Sequence, residues 1–145
     1  HQLIGHPDVP RICDMSSDFL SRPISLNPFH LVYAHAQKNL GPSGVTVVVI
    51  REDFLDQAST DLHAMLDYRS HIKADSIYNT PPVFAIYVTM LVTRWLIDEI
   101  GGLEAMQSIN EAKAKMLYSV LDHSDGFYQG HAAVRDRSLM NVTFT

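Results

Sequence analysis

The stretch GVTVVVIRE, residues 44–52, constrains the fold more than any other part of the chain. An unbroken run of Val and Ile, without polar alternation, predicts a strand covered on both faces. Two shorter apolar runs precede it. PRICDMSS, residues 10–17, stops abruptly at Asp14, the pattern of a brief buried strand that delivers a carboxylate to its end. FHLVYAHAQ, residues 29–37, predicts a second strand, leading through Lys38 into the Gly- and Pro-rich turn LGPSG.

The period then changes. After NTPP, Thr80 is positioned to cap a helix and Pro81 to fill its first position, where a missing N–H costs nothing. Phe84, Tyr87, Met90, Leu91 and Trp95 recur at helical steps up to about Glu99, with Trp95 expected in the core, and Gly101 and Gly102 then stop the helix. Leu103, Met106, Ile109, Met116, Leu117, Val120 and Leu121 mark a second helix with Glu and Lys on its outer face. A polar loop follows, and SLMNVTFT, residues 138–145, alternates like a strand. Strands first and helices later define an α/β protein. Three short strands with few covering elements leave sheet edges that need partners.

A chain of 145 residues that is 46% hydrophobic can bury one ordinary core. Its formal charge of −5, with no basic cluster, offers no footprint for nucleic acid or an anionic membrane, so small molecules or proteins are the expected partners. Cys13, the single cysteine, has no partner for an internal disulfide, which suits a reducing cytosol. The apolar segment at residues 81–100 is interrupted by Arg94 and closed by Asp98 and Glu99, too soon for a bilayer-spanning helix. The chain opens on His1 and ends inside a strand pattern, so a piece of a longer protein is expected.

Most chemical motifs fail on spacing. The eight histidines include no HExxH pair, and His30 and His35 fall on opposite faces of a strand, so no metal site is expected. GPSGVT lacks the lysine of a phosphate-binding loop. Ser16 and Ser17 sit in no nucleophile elbow and read as residues that satisfy a turn. What remains is Asp14, Lys38 and the pair Asn79–Thr80. A lysine with Ala34 and Ala36 on its own strand face has room beside it for a planar ligand, in a desolvated setting that would make its amine nucleophilic. An acid at a neighbouring strand end would hold a pyridine nitrogen protonated, and a helix start at Thr80 would favour a phosphate.

DMSSDFLSRP, YAHAQKNLGPSGVTVVVIREDFL, YNTPPVFAIYV and RSLMNVTFT closely resemble the phosphoserine aminotransferases, a branch of the class V aminotransferases with the fold-type-I pyridoxal phosphate architecture. The resemblance runs from about residue 10 to residue 145, leaving only residues 1–9 outside it. It implies that Lys38 condenses with the cofactor aldehyde and moves the substrate proton, that Asp14 pairs with the ring nitrogen, and that Gln37 lies beside the cofactor phosphate. It also implies that Asn79 and Thr80 reach the phosphate of a neighbouring subunit, so that the site is shared across a homodimer. The implied cofactor is pyridoxal 5′-phosphate. The implied reaction exchanges an amino group between glutamate and 3-phosphohydroxypyruvate, giving phosphoserine and 2-oxoglutarate, in cytoplasmic serine biosynthesis and, in some bacteria, pyridoxine biosynthesis.

Two departures accompany the resemblance. His35 stands where the family usually has glycine, which would strain the backbone beside Lys38 if a Cβ is not tolerated there. The family's chain is also much longer, with further cofactor- and substrate-binding segments, so this piece alone is expected to be inactive. The expected organisation is the C-terminal half of the cofactor-binding large domain over residues 1–104 and the start of the small α/β domain over 105–145. Two alternatives stay open: a non-catalytic dimerisation remnant of the same fold, and a related class V aminotransferase with another acceptor.

Overall fold

In the computed structural model, which describes residue 6 and residues 8–145, three strands form one sheet in the order β1-β2-β3. The first residues of the expected 1–104 segment lie outside the described residues. β1 (Ile12–Asp14) runs parallel to β2 (Leu31–His35), with Ile12 opposite Leu31 and Asp14 opposite Tyr33. β3 (Thr46–Ile50) returns antiparallel, with Thr46 opposite His35 and Ile50 opposite Leu31. Side chains alternate across a sheet, so Asp14, Tyr33, His35 and Thr46 share one face. Val32 and Ala34 take the other.

That other face carries the core. Ala34, Ala36 and Leu40 are buried, with Phe19, Leu20, Val45 and Val47 packed around them. The double coverage expected of the Val/Ile strand is not built by the described residues: Thr46 and Val49 are exposed and the rest of β3 is half-buried. β3 pairs with β2 alone among the described residues, so its outer backbone groups have no strand partner there.

The second strand ends earlier than expected. From Ala36 the chain turns into α1 (Ala36–Asn39), because the amides of Leu40 and Gly41 both donate to the Ala36 carbonyl, at 3.1 and 2.8 Å. Asn39 fixes this turn by donating its side-chain amide to the Phe19 carbonyl at 2.6 Å. Lys38 therefore lies on a one-turn helix and not on the strand face of Ala34. Short alternation of Ala, His and Gln fits either conformation, and the burial of Ala36 and Leu40 decides between them.

Beyond β3, α2 (Glu52–Leu55) and α3 (Tyr68–Lys73) are elements the apolar periodicity did not announce. α3 is capped by Asp67, whose carboxylate accepts from the Arg69 amide at 3.0 Å. α4 (Val83–Asp98) starts later than expected: Pro82 is its N-cap and Thr80 makes no cap. A residue before proline is disfavoured in helical conformation, so Pro81 cannot open the helix and the turn begins after Pro82.

The packing of α4 reverses the expected face. Ala85 and Leu96 are buried, while Phe84 is 75% and Trp95 47% exposed, so Trp95 is not core here. The small residue makes the close approach: a Cβ added at Gly44 would lie 3.5 Å from the Ala85 Cβ, so the loop after Lys38 rests on this side of the helix. After Gly101 and Gly102 the chain enters α5 (Leu103–Asp122), as expected, but Met116, Leu117 and Val120 are exposed. The expected C-terminal strand is reduced to one antiparallel bridge, Gly130 with Phe144, because no longer partner lies beside it among the described residues.

Candidate active site

The turn that follows β1 is built around one carboxylate. Oδ1 of Asp14 accepts from the Ser16 amide at 2.8 Å and from the Ser16 hydroxyl at 2.6 Å. The amide contact to the residue two positions on is the bond of an Asx-turn, which is why Asp ends this strand and Ser follows it. These two donors lead in holding the Asp14 carboxyl below its ordinary value, against the opposing effect of partial burial. Tyr33 and His35 on the neighbouring strand act in the same direction. The charge of Asp14 in turn raises the Tyr33 phenol, and burial, followed by the charges of Asp18 and Asp14, raises the Cys13 thiol.

Lys38 reaches the same turn from the other side. Its Nζ donates to the Ser17 hydroxyl at 3.3 Å, one residue beyond the serine that holds Asp14. The β1–β2 pairing brings this about: parallel neighbours end on the same side of the sheet, so the turn after Asp14 and the helical turn after His35 lie together. Lys38 is exposed, and the enclosed setting expected from Ala34 and Ala36 is not formed by these residues, because both alanines face the core beneath.

The remaining expected residues fall in two places. Gln37 is exposed beside Lys38 on α1. Asn79 and Thr80 are exposed in the segment between α3 and α4, where the Asn79 amide contacts the Met65 sulfur at 3.8 Å. None of Asp14, Gln37, Lys38, Asn79 and Thr80 lines the cavity of about 370 Å³ between β3 and α3, which is bounded by Thr46, Val48, Ile50, Tyr68, His71 and Ile72.

His35 shows no backbone strain. Its φ of −78° and ψ of 136° are an extended conformation open to any residue, and its Nδ1 lies 2.7 Å from the Thr46 hydroxyl. The cost feared for a Cβ at this position is absent. Tyr33 is the residue that sequence reasoning passed over, and Ser16 and Ser17, read only as turn residues, also contact Asp14 and Lys38. The Asp-x-Ser spacing at a strand end signals Ser16, whereas Ser17 and Tyr33 depend on strand pairing.

A carboxylate held as an anion and a primary amine at one open turn suit a ligand with a basic ring nitrogen and an aldehyde. Oδ1 of Asp14 is engaged by Ser16, leaving Oδ2 outside that clamp, and Lys38 shows a single partner for three donor hydrogens. Among the described residues no group of three His, Cys, Asp or Glu is arranged to hold a metal. No described helix is long and apolar enough to cross a membrane.

The chain belongs to the aminotransferase class-V family, which it matches over residues 3–145. This match begins before residue 10, so most of the segment that the motifs left outside belongs to the family as well. Within that family, phosphoserine aminotransferases of Shouchella clausii and Bacillus subtilis are 58% and 54% identical to it, covering 94% and 99% of the chain. The chain spans only 37% and 40% of those proteins. The structure of the Bacillus circulans phosphoserine aminotransferase is 55% identical with a TM-score of 0.87, over 94% of this chain and 38% of that one. The PLP-bound enzyme of Trichomonas vaginalis is 41% identical with the same TM-score of 0.87, over 99% and 39%. An aspartate aminotransferase of Thermus thermophilus, 19% identical with a TM-score of 0.78 over 95% and 39%, shares the fold.

Proposed function

We propose that this chain is the lysine-bearing part of a phosphoserine aminotransferase, which exchanges an amino group between glutamate and 3-phosphohydroxypyruvate in cytoplasmic serine biosynthesis. The observation that carries the reading is the meeting of Lys38 and Asp14 at one turn through Ser17 and Ser16. Pyridoxal 5′-phosphate, when bound, supplies an aldehyde for the amine and a cationic ring that draws electrons from the substrate Cα. Asp14, favoured in its charged form by Ser16, would hold the proton on the ring nitrogen. The Lys38 amine would hold the cofactor through that aldehyde and, when free, would take up the proton from the substrate Cα. Gln37 donates to the cofactor phosphate.

Asn79 and Thr80 serve a second copy of the chain. Their exposure, with no hydrogen bond from either side chain to Asp14 or Lys38, supports a homodimer in which each subunit completes the other's phosphate site. Residues 1–104 belong to the large domain and 105–145 open the small one. The positive φ of both Gly101 and Gly102, just before α5 begins at Leu103, supports a boundary in this part of the chain. With less than half the length of its relatives, the 145-residue chain by itself is inactive.

Borohydride reduction of the whole enzyme loaded with cofactor, followed by peptide mapping, tests the assignment. A stable adduct on Lys38 is expected. An adduct on any other lysine overturns it.

A further inference from the structure

We propose that Ser16 is a positioning residue that acts through Asp14: its hydroxyl clamps the carboxylate and at the same time ties it to the backbone that leads into Lys38. The inference rests on the cofactor reading above and deepens it. Ser16 is 3% exposed, so its hydroxyl is satisfied by protein groups alone or not at all. A serine hydroxyl has one proton to give and two lone pairs to accept with. The proton goes to Asp14 Oδ1 at 2.6 Å. One lone pair takes the His35 amide at 3.0 Å, three residues before Lys38.

The Asx-turn does not require this hydroxyl. The Ser16 amide alone closes it, at 2.8 Å to the same oxygen, and any residue at position 16 other than proline would supply that amide. The hydroxyl adds a second bond to Oδ1, which restricts the rotation of the carboxylate and leaves Oδ2 outside the clamp. Through His35 it also sets the distance between β1 and the end of β2. The acid and the amine are thereby held from one buried atom, while Ser17 next to it meets Lys38 itself. A charge-assisted bond of this kind counts for more than a neutral one.

The test uses the whole enzyme with Ser16→Ala and Ser16→Cys. Alanine keeps the amide and removes the hydroxyl, and cysteine keeps the volume with a poor donor. Two quantities are read. The first is the dissociation constant for pyridoxal 5′-phosphate, expected to rise about tenfold in both variants. The second is the titration of the Asp14 carboxyl in the cofactor-free enzyme, followed by ¹³C NMR of labelled aspartate and expected to move up toward an ordinary aspartate. The other ionisable groups around Asp14, namely Cys13 on β1, Tyr33 and His35 on β2 and Asp18 in the following turn, are unaltered in both variants. Thermal unfolding of each variant separates loss of fold from loss of the clamp.

An Asp14 titration that stays in place in both variants overturns the proposal, even where cofactor is lost, because the serine would then act on stability and not through the acid. Failure of the aminotransferase reading shows differently, as wild-type enzyme that forms no adduct on Lys38. The carboxyl titration needs no cofactor and decides the clamp in either case.

Discussion

Asp14 shows how immediate neighbours set the charge of one side chain. The Ser16 hydroxyl and amide favour its charged form, and Tyr33 and His35 add to the effect across the strand pair. A carboxyl whose folded value lies below its unfolded value contributes stability above the unfolded value of about 3.9, and that contribution fades as pH falls through the folded one. Asp14→Asn removes a contribution of this sign. The variant is therefore expected to show a weaker loss of thermal stability than the wild type as pH falls below about 4. Unfolding midpoints measured across that range check it, and parallel curves for the two proteins would contradict it. Asp53, Asp67 and Asp122 are also lowered, each first by a hydrogen bond from its arginine, and their unchanged contribution forms the background of the measurement.

At the scale of elements, the joint between α4 and α5 depends on glycine for a stated reason. α4 ends as the Glu99 and Ile100 amides both return to the Trp95 carbonyl and the Gly102 amide to that of Leu96, and Gly101 takes a φ of +87° to allow this. A Cβ added at Gly101 meets nothing within 4 Å, so the conformation and not the space excludes other residues. Gly101→Ala is expected to lower stability by about 1–2 kcal/mol, with Gly101→Asn recovering part of it. Chemical denaturation of the whole enzyme gives both values. The two glycines were legible as a helix stop because a double glycine after apolar periodicity has few other uses. The start of α4 was less so: Thr80 and Pro81 satisfy the local rules for a helix start, and the second proline overrides them.

For the molecule as a whole, one buried side chain joins the second helix to the site. Asn110 on α5 is 3% exposed and donates to the Ser21 carbonyl at 2.9 Å, in the turn region that follows Asp14. Asn110→Ala leaves that carbonyl without its partner and is expected to cost about 1–3 kcal/mol. Equilibrium denaturation measures it, and a loss below about 0.5 kcal/mol would show that the carbonyl finds another donor. The apolar faces of α4 and α5 express the same dependence on surroundings. Phe84, Tyr87, Leu91 and Trp95 recur at the spacing of a buried stripe, yet they are exposed, and the chain spans less than half of its relatives' length. Periodicity records that a face is to be covered, without saying by what.

The linear chain determined whatever depends on neighbours in sequence. The three short strands, the long helices and the glycine joint follow from apolar spacing and turn chemistry, and Lys38 and Asp14 stand out by their places in AQKN and DMSSD. Tertiary structure decided whatever depends on pairing. It turned Ala36–Asn39 into a helical turn, left β3 with an uncovered side, faced α4 inward through Ala85 and not Trp95, and brought Lys38 to the turn of Asp14. The physical reason is that a parallel strand pair joins residues far apart in sequence, and only its register states which side chains meet.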